Sequence, residues 1–549
     1  MAPAASRLVD LSSTVAASFT AVATEYPWRP FLHVVTETAA HYGIKQGDIT
    51  YRQAAEEIWR LRTGYARGGY KHGHRVGLML ENRPSFFFHW LALNGLGVSV
   101  VPLNPEFRPN ELDYLASHSE IVLGVAAACE LPKLRDSAQR LGSFVAIAEN
   151  AAILPAPAEA PHADRPPNEH SECALLYTSG TTGRPKGCVL SNGYYLSTGR
   201  WYGEIGGACT LCPGEERMLT PLPLVHVNAM GFSAMAMILS GGCLVQLDRF
   251  HPGTWWKSVR ESRATIIHYL GVMPSMLLGA APDPGERDHS VRFGFGAGVE
   301  AQHHAPFERR FGFPLVEAWA MTETGGAGAM IDSREPRHVG TTCFGRPAPT
   351  VEARIVDDAG SPCPTGMPGE LLVRAAGPDP HAGFFSEYLK DEEATRSAWD
   401  GGWFHTGDVV RSDTDGYLYF VDRKKNVIRR SGENISVVEV ESVLRRHPTV
   451  AEVAVAPAPD ETRGEEVLAC IVPRTPLPST RMADEAASIV TAALADLSYF
   501  KVPGWVAFVD ALPLTASQKL ARGELKAIAR GLPGTSDCID TRAFKRRGV

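Results

Sequence analysis

Ala174-Leu175-Leu176-Tyr177-Thr178-Ser179-Gly180-Thr181-Thr182-Gly183-Arg184-Pro185-Lys186-Gly187 is the stretch on which the reading of this chain turns. Three apolar residues lead in as a strand would, and a loop of Ser, Thr and Gly follows, closed by one Arg and one Lys. Gly180, Gly183 and Gly187 remove the Cβ where backbone must turn tightly or approach a ligand. Exposed N–H groups, hydroxyls and a cation together make a phosphate cradle. A P-loop of the Walker type is excluded, because no Ser or Thr follows a Gly-Lys pair at the required spacing. A flexible surface loop of small polar residues is the plainer alternative. The strand that enters the loop, and Pro185 and Gly187 around Lys186, count against it.

Working outward, 549 residues exceed one ordinary core, so two to four domains are expected. The composition, 44% hydrophobic and 21% charged, is that of a soluble globular protein. A net charge of −7 argues against nucleic acid or an anionic membrane as the main partner. The ten cysteines stand singly apart from Cys209-Thr210-Leu211-Cys212, which has no second pair and no His nearby, so free thiols in a reducing, cytoplasmic compartment are expected. No apolar run reaches the ~18 residues of a membrane span. Residues 1–24 lack the charged start and continuous apolar centre of a signal peptide, and read as a mobile arm or first helix.

From Trp28 to Val145 helices and strands alternate. Tyr51–Tyr65, Phe86–Leu93 and Asn110–Ser119 read as helices; Arg75–Leu80, Val98–Asn104 and Ile121–Val125 read as strands. Strands apolar on both faces and separated by helices argue for a parallel sheet covered on both sides. Residues 150–171 are a Pro- and Ala-rich surface connection. After the glycine loop come a helix at Asn192–Glu204, a Pro-punctuated loop carrying His226 and Asn228, and an apolar helix from Gly231 to Leu239. Phe293-Gly294-Phe295-Gly296-Ala297-Gly298 reads as a strand running into a tight turn, and Leu315–Trp319 as a further strand. Beyond Gly340 strands of antiparallel type take over, at Val351–Val356 and Gly369–Val373, with a hairpin at Asp415-Gly416. A small α+β pattern follows Asp422, and residues 531–549 read as a loose tail.

Seven pieces then agree in order: Thr178–Gly187, the His226 loop, Gly296–Gly298, Trp319–Glu323, Thr406–Asp408, Asp422-Arg423 with Gly432, and Lys519. Together they resemble the adenylate-forming superfamily, which holds acyl-CoA synthetases, peptide-synthetase adenylation domains and firefly luciferases. The resemblance runs from about Trp28 to Arg522. It implies an α/β fold: a large N-terminal domain (residues 1–421) of parallel-type sheets with flanking helices plus a small antiparallel β-subdomain, and a small mobile α+β C-terminal domain (422–530) hinged at Asp422. It implies an acid:CoA ligase. A carboxylate attacks the α-phosphate of MgATP to give acyl-AMP and pyrophosphate, and the thiol of coenzyme A then releases AMP.

By that resemblance Thr178, Ser179, Gly180, Thr181, Thr182 and Lys186 hold the β- and γ-phosphates through charge-assisted contacts. Glu323, with Thr178, holds Mg²⁺, a cation that takes hard oxygen ligands; Thr322 borders the nucleotide. Trp319 stacks on adenine, and Gly296, Ala297 and Gly298 let backbone lie against it. Asp408 accepts from the ribose hydroxyls and Arg423 supports the same ribose. Lys519 is the residue for adenylation, because an ammonium there stabilises charge that develops in the transition state. His226 gates or lines the acyl pocket, with Asn228, Ala229, Met230, Phe232, Phe295, Val299 and Met321 as further lining. Gly432 admits the pantetheine arm. On the residues alone each has a plainer alternative: a helix-start charge for Glu323, a turn acid for Asp408, a solvent-exposed amine for Lys519, a satisfied histidine for His226.

Two positions depart from the family pattern. Ala320 stands where Gly is usual in the aromatic-Gly-x-Thr-Glu motif, and Gln518 where Gly is usual before the lysine; both restrict φ. The Gly432-Glu433-Asn434-Ile435-Ser436 stretch resembles that of carnitine/crotonobetaine ligases. The competing functions are a free-standing adenylation enzyme that loads a carrier protein in trans, a non-enzymatic relative and a luciferase-like oxygenase. The partners expected are a small carboxylic acid and coenzyme A, with a homo-oligomer open.

Overall fold

A computed structural model describes residues 14–157, 166–178, 184–357, 359–423, 427–431, 433–513, 520 and 522–545. By contacts the chain divides into two compact units. One comprises Met1–Pro105, Ala116–Leu176 and Gly187–Asp422, and the other Glu106–Leu115, Tyr177–Lys186 and Arg423–Val549.

Short strands with apolar residues on both faces build two large sheets in the first unit. The eight-stranded sheet runs in the order Met330–Ile331, Leu315–Trp319, Phe293–Ala297, Ile266–Leu270, Arg217–Thr220, Cys243–Gln246, Pro30–Val34, Gly47–Thr50. Its inner neighbours pair in parallel and its two edge pairs are antiparallel. The seven-stranded sheet takes the strands on either side of the glycine loop, Glu172–Thr178 and Lys186–Ser191, together with Ser99–Pro102, Arg75–Met79, Leu123–Ala126, Val145–Ala148 and the edge strand Glu387–Tyr388.

Helices cover these sheets as the composition directs. Tyr51–Arg67 opens on a capping box, in which the Thr50 hydroxyl and the Gln53 side chain satisfy each other's backbone N–H groups. Pro84–Asn94 is apolar on all sides and nearly all of it is buried, as such a helix must be. An antiparallel sheet of Val351–Val356, Gly369–Ala375, Phe404–Ser412 and Leu418–Arg423 follows, with the turn at Asp415-Gly416 as expected.

The second unit is α+β. Its sheet holds Glu433–Ser436, Val427–Arg430, Gly464–Pro473, Trp505–Phe508 and Cys538–Asp540, with Val450–Asp460 paired to Gly464–Pro473.

Two expectations are corrected. Residues 538–545 are not a loose tail. Cys538–Asp540 pairs antiparallel with Trp505–Phe508, and Lys545 is buried with its Nζ 2.7 Å from Glu466 Oε1. A strand of three residues carries too little periodicity to be read from sequence. The apolar helix expected from Gly231 begins earlier and differently: Asn228–Ser233 forms a π-helical turn, and the α-helix proper is Ala234–Ser240. Such turns are rare and often mark functional sites.

Candidate active site

The site grows from the C-terminal ends of the parallel strands Ile266–Leu270, Phe293–Ala297 and Leu315–Trp319. Gly296 lies so close to its neighbour that a Cβ there would meet the Tyr269 carbonyl oxygen at 2.4 Å and its ring at 2.7 Å. The space a side chain would fill is taken by this protein's own Tyr269. Gly298 differs: its φ of +80° demands glycine and the space beside it is open. The turn is held by Glu317, a carboxylate inside an otherwise apolar strand. Its Oε2 accepts from the Gly298 N–H at 2.8 Å and its Oε1 from the Val299 N–H at 3.3 Å and the Tyr269 hydroxyl at 2.7 Å. Burial raises the Glu317 pKa, and these three donors oppose the rise.

Trp319 and Asp408, from different sheets, meet directly. The indole Nε1–H donates to Asp408 Oδ2 at 2.9 Å, with the tryptophan 7% and the aspartate 1% exposed. Asp408 is set by a tight turn: its N–H donates to Thr406 Oγ1 at 3.0 Å, and that hydroxyl donates to the Leu371 carbonyl at 2.7 Å. Tryptophan at 319 thus does more than keep an aromatic face, because its N–H orients the carboxylate expected to receive ribose hydroxyls.

Glu323 is buried, and its Oε1 accepts from the Tyr388 hydroxyl at 2.9 Å. Tyr388 pairs antiparallel with Cys188, so the Glu323 carboxylate is tied to the strand that leaves the glycine loop. Burial, with the Glu323 charge beside it, pushes the Tyr388 pKa up and keeps the phenol a donor. The backbone ahead of Glu323 is fixed by the Tyr194 hydroxyl, which donates to the Thr322 carbonyl at 2.7 Å.

The same unit holds an aromatic cluster. Trp201 packs edge-on against Phe232 at 5.6 Å and against Phe295 at 6.2 Å. Beneath it runs a buried polar chain. His268 Nε2 is 2.8 Å from the Tyr202 hydroxyl, and its Nδ1 is 2.7 Å from Ser233 Oγ and 3.2 Å from Asn228 Oδ1. Burial pushes the His268 pKa down to about 3, so the imidazole is neutral and relays hydrogen bonds rather than charge. His226 is half-buried and its carbonyl receives the N–H of Met230, four residues on. Ala229 and Met230 have no accessible surface and pack into the hydrophobic core. Val299 and Phe295 are each 4% exposed and Met321 is half-buried.

The remaining expectations divide by position. Thr178 ends one strand and Lys186 begins the next. Ser179, Gly180, Thr181, Thr182, Gly432, Gln518 and Lys519 lie outside the described residues, as do the side chains of Asp422 and Arg423.

The sequence model of the AMP-binding enzymes matches residues 19–386, and that of the AMP-binding enzyme C-terminal domain matches 439–519. This chain is an AMP-binding enzyme. It is 31% identical to the sulfoacetate–CoA ligase of Cupriavidus necator, over 94% of this chain and 98% of that one. It is equally 31% identical to a crotonobetaine/carnitine–CoA ligase of Salmonella paratyphi B, over 87% and 93%. Among solved structures the fold is similar to the o-succinylbenzoate CoA synthetase of Bacillus subtilis, with a TM-score of 0.78 at 24% identity, covering 93% of this chain and 98% of that one. It is similar as well to the amide bond synthetase of Marinactinospora thermotolerans, with a TM-score of 0.79 at 24% identity, covering 94% and 99%.

In this AMP-binding enzyme three residues escaped the sequence reading. Glu317 left one signal, a carboxylate within Leu315-Val316-Glu317-Ala318-Trp319 where every neighbour is apolar. Tyr388 and Trp201 left none, since each matters only through a partner distant in sequence. Among the described residues no helix is long and apolar enough to cross a membrane.

Proposed function

We propose that this ATP-dependent, AMP-forming acid:CoA ligase activates a compact carboxylic acid with an apolar tail, of medium-length, branched or aryl type. The observation that supports the substrate class is the aromatic cluster of Trp201, Phe232 and Phe295, to which Met321, Asn228 and His226 are proposed as further lining.

The roles follow from the groups in place. Asp408, aimed by the Trp319 N–H, accepts from the ribose hydroxyls. The turn at Gly298, pinned by Glu317, gives backbone an approach to the nucleotide. Glu323 suits Mg²⁺: it is a hard oxygen donor, buried and oriented by Tyr388, and by the resemblance the Thr178 hydroxyl is a second ligand. When bound, Mg²⁺ neutralises phosphate charge and orients the pyrophosphate that leaves. The glycine loop from Thr178 to Lys186 grips the β- and γ-phosphates. Lys519, from the C-terminal domain, stabilises the charge that builds on the α-phosphate and carboxylate oxygens. Movement about Asp422 then brings the Gly432 segment into place for coenzyme A.

Carboxylate-dependent AMP release, measured with and without CoA over a panel of aryl, branched and medium-chain acids plus sulfoacetate and crotonobetaine, tests the proposal. Turnover with the apolar acids, accompanied by thioester formation, is expected. A strong preference for the sulfonate or the betaine overturns the substrate class. Turnover that gives acyl-AMP but never a CoA thioester points instead to an adenylation enzyme loading a carrier protein.

A further inference from the structure

Three side chains of different chemistry converge where the eight-stranded sheet ends and the antiparallel sheet begins. Asp332 directly follows the edge strand Met330–Ile331. His338 lies in the loop beyond it, and Cys343 makes a lone antiparallel bridge to Tyr419. One ligand atom from each of these three residues lies within 4.8 Å of the other two. Asp332 and Cys343 are buried, at 6% and 2% exposed, whereas the His338 side chain keeps 24% of its surface and leaves a way in from solvent.

We propose that Asp332, His338 and Cys343 form a site for a single Zn²⁺-type divalent cation, distinct from the magnesium that accompanies ATP. The donor set is the first reason. A carboxylate, an imidazole and a thiol are together the ligands of tetrahedral zinc, whereas magnesium and calcium take oxygen alone. Spacing is the second. Zn–N and Zn–O bonds of about 2.0–2.1 Å at a tetrahedral angle put the two atoms about 3.3 Å apart. Asp332 Oδ2 and His338 Nδ1 are 3.2 Å apart.

The third reason is the surrounding shell. Asp332 Oδ2 is oriented by the His338 backbone N–H at 2.7 Å, and Cys343 Sγ receives the Gly345 backbone N–H at 3.4 Å. Backbone N–H groups aimed at a carboxylate and a sulfur are what orient metal ligands and stabilise a thiolate.

With a cation at the centre, Cys343 would bind as the thiolate. Asp413 has its own partner, the Tyr419 hydroxyl at 2.8 Å, and the rim is aromatic, with the Tyr417 ring centre 4.2 Å from that of His338. The fourth position is left for water. An ion here would clamp the Asp332 loop to the Tyr419 strand. Phe344, next to Cys343, packs 5.9 Å from the Trp319 ring, so the clamp borders the nucleotide face.

The test uses the full chain purified without a polyhistidine tag and stripped with a chelator. Zn²⁺ is titrated against a chromophoric competitor, and Co²⁺ is added as a spectroscopic stand-in. The expected result is about one ion per chain. Co²⁺ should give a thiolate charge-transfer band, and Zn²⁺ should raise the melting temperature. Cys343→Ser should abolish the band and weaken Zn²⁺ binding by about 100-fold or more, while Asp332→Asn and His338→Gln weaken it by at least about 10-fold. Circular dichroism and melting without metal show that each variant folds, and if Cys343→Ser does not fold the other two decide. Unchanged binding in the folded variants, or no binding by the wild type against a micromolar competitor, overturns the proposal.

Discussion

Replacing Trp319 by Phe removes one N–H and keeps a flat aromatic face. The lost hydrogen bond spans 2.9 Å to a carboxylate that is 1% exposed, so water does not replace the donor readily. A hydrogen bond to a charged group is worth about 1.5–3 kcal/mol, and each 1.4 kcal/mol is tenfold in an equilibrium constant. Misaiming Asp408 should therefore raise the KM for ATP by roughly 10- to 100-fold. Because the ribose contact is made equally in the ground and transition states, kcat should change far less. The assay is acid-dependent ATP–pyrophosphate exchange at saturating carboxylate, with ATP varied, for wild type, Trp319→Phe and Trp319→Tyr. Tyrosine restores a donor and should recover most of the loss. Wild-type KM for ATP in the phenylalanine variant would refute the reasoning, since stacking alone would then suffice.

Further outcomes follow from the same geometry. Glu317→Gln puts an N–H₂ where one oxygen now accepts. It should cost about 2–3 kcal/mol through the orphaned Gly298 or Tyr269 donor, seen as earlier denaturant unfolding and weaker ATP binding; an unchanged unfolding midpoint would contradict the role given to Glu317. His89 and His268 are buried with pKa values pushed down to about 4 and about 3. Both values lie below the unfolded value of about 6.5, so the unfolded chain binds more protons as pH falls below 6.5. Stability is full above that pH and declines beneath it, by about 2 kcal/mol from each histidine at pH 5, and melting followed from pH 7.5 to 5 checks this. Lys545→Ala leaves the fully buried Glu466 with Arg430 Nε at 2.9 Å as its ion-pair partner among the described residues. It should destabilise the C-terminal unit by up to about 3 kcal/mol, read as faster hydrogen exchange in Trp505–Phe508; unchanged exchange would return residues 538–545 to the status of a tail.

What could be read from sequence, and what could not, separates along physical lines. Strands such as Arg75–Met79 announce themselves because both faces are buried and every residue after Arg75 is apolar or small. The hairpin at Asp415-Gly416 was equally plain, since that dipeptide serves one kind of turn. The motif residues Trp319, Glu323 and Asp408 were legible as a set, from their order and from the resemblance. Their geometry was not, because it depends on pairs remote in the chain: Trp319 and Asp408 stand 89 residues apart, and Glu317 and Tyr269 stand 48 apart. The missing Cβ of Gly296 makes room for Tyr269, a need that no local pattern reveals. The π-turn at Asn228–Ser233 has the composition of an ordinary helix start. Ala229 and Met230, placed in the pocket by their position in the loop, have no accessible surface.

The central claim is that this protein joins an organic acid to AMP before making the thioester. Acid-dependent exchange of labelled pyrophosphate into ATP, in the absence of CoA, tests it most directly, with Lys519→Ala and Glu323→Gln beside the wild type. The account predicts exchange that requires the acid and Mg²⁺ and falls by at least about 100-fold in both variants. Exchange absent with every acid tried, or undiminished in the variants, would contradict it.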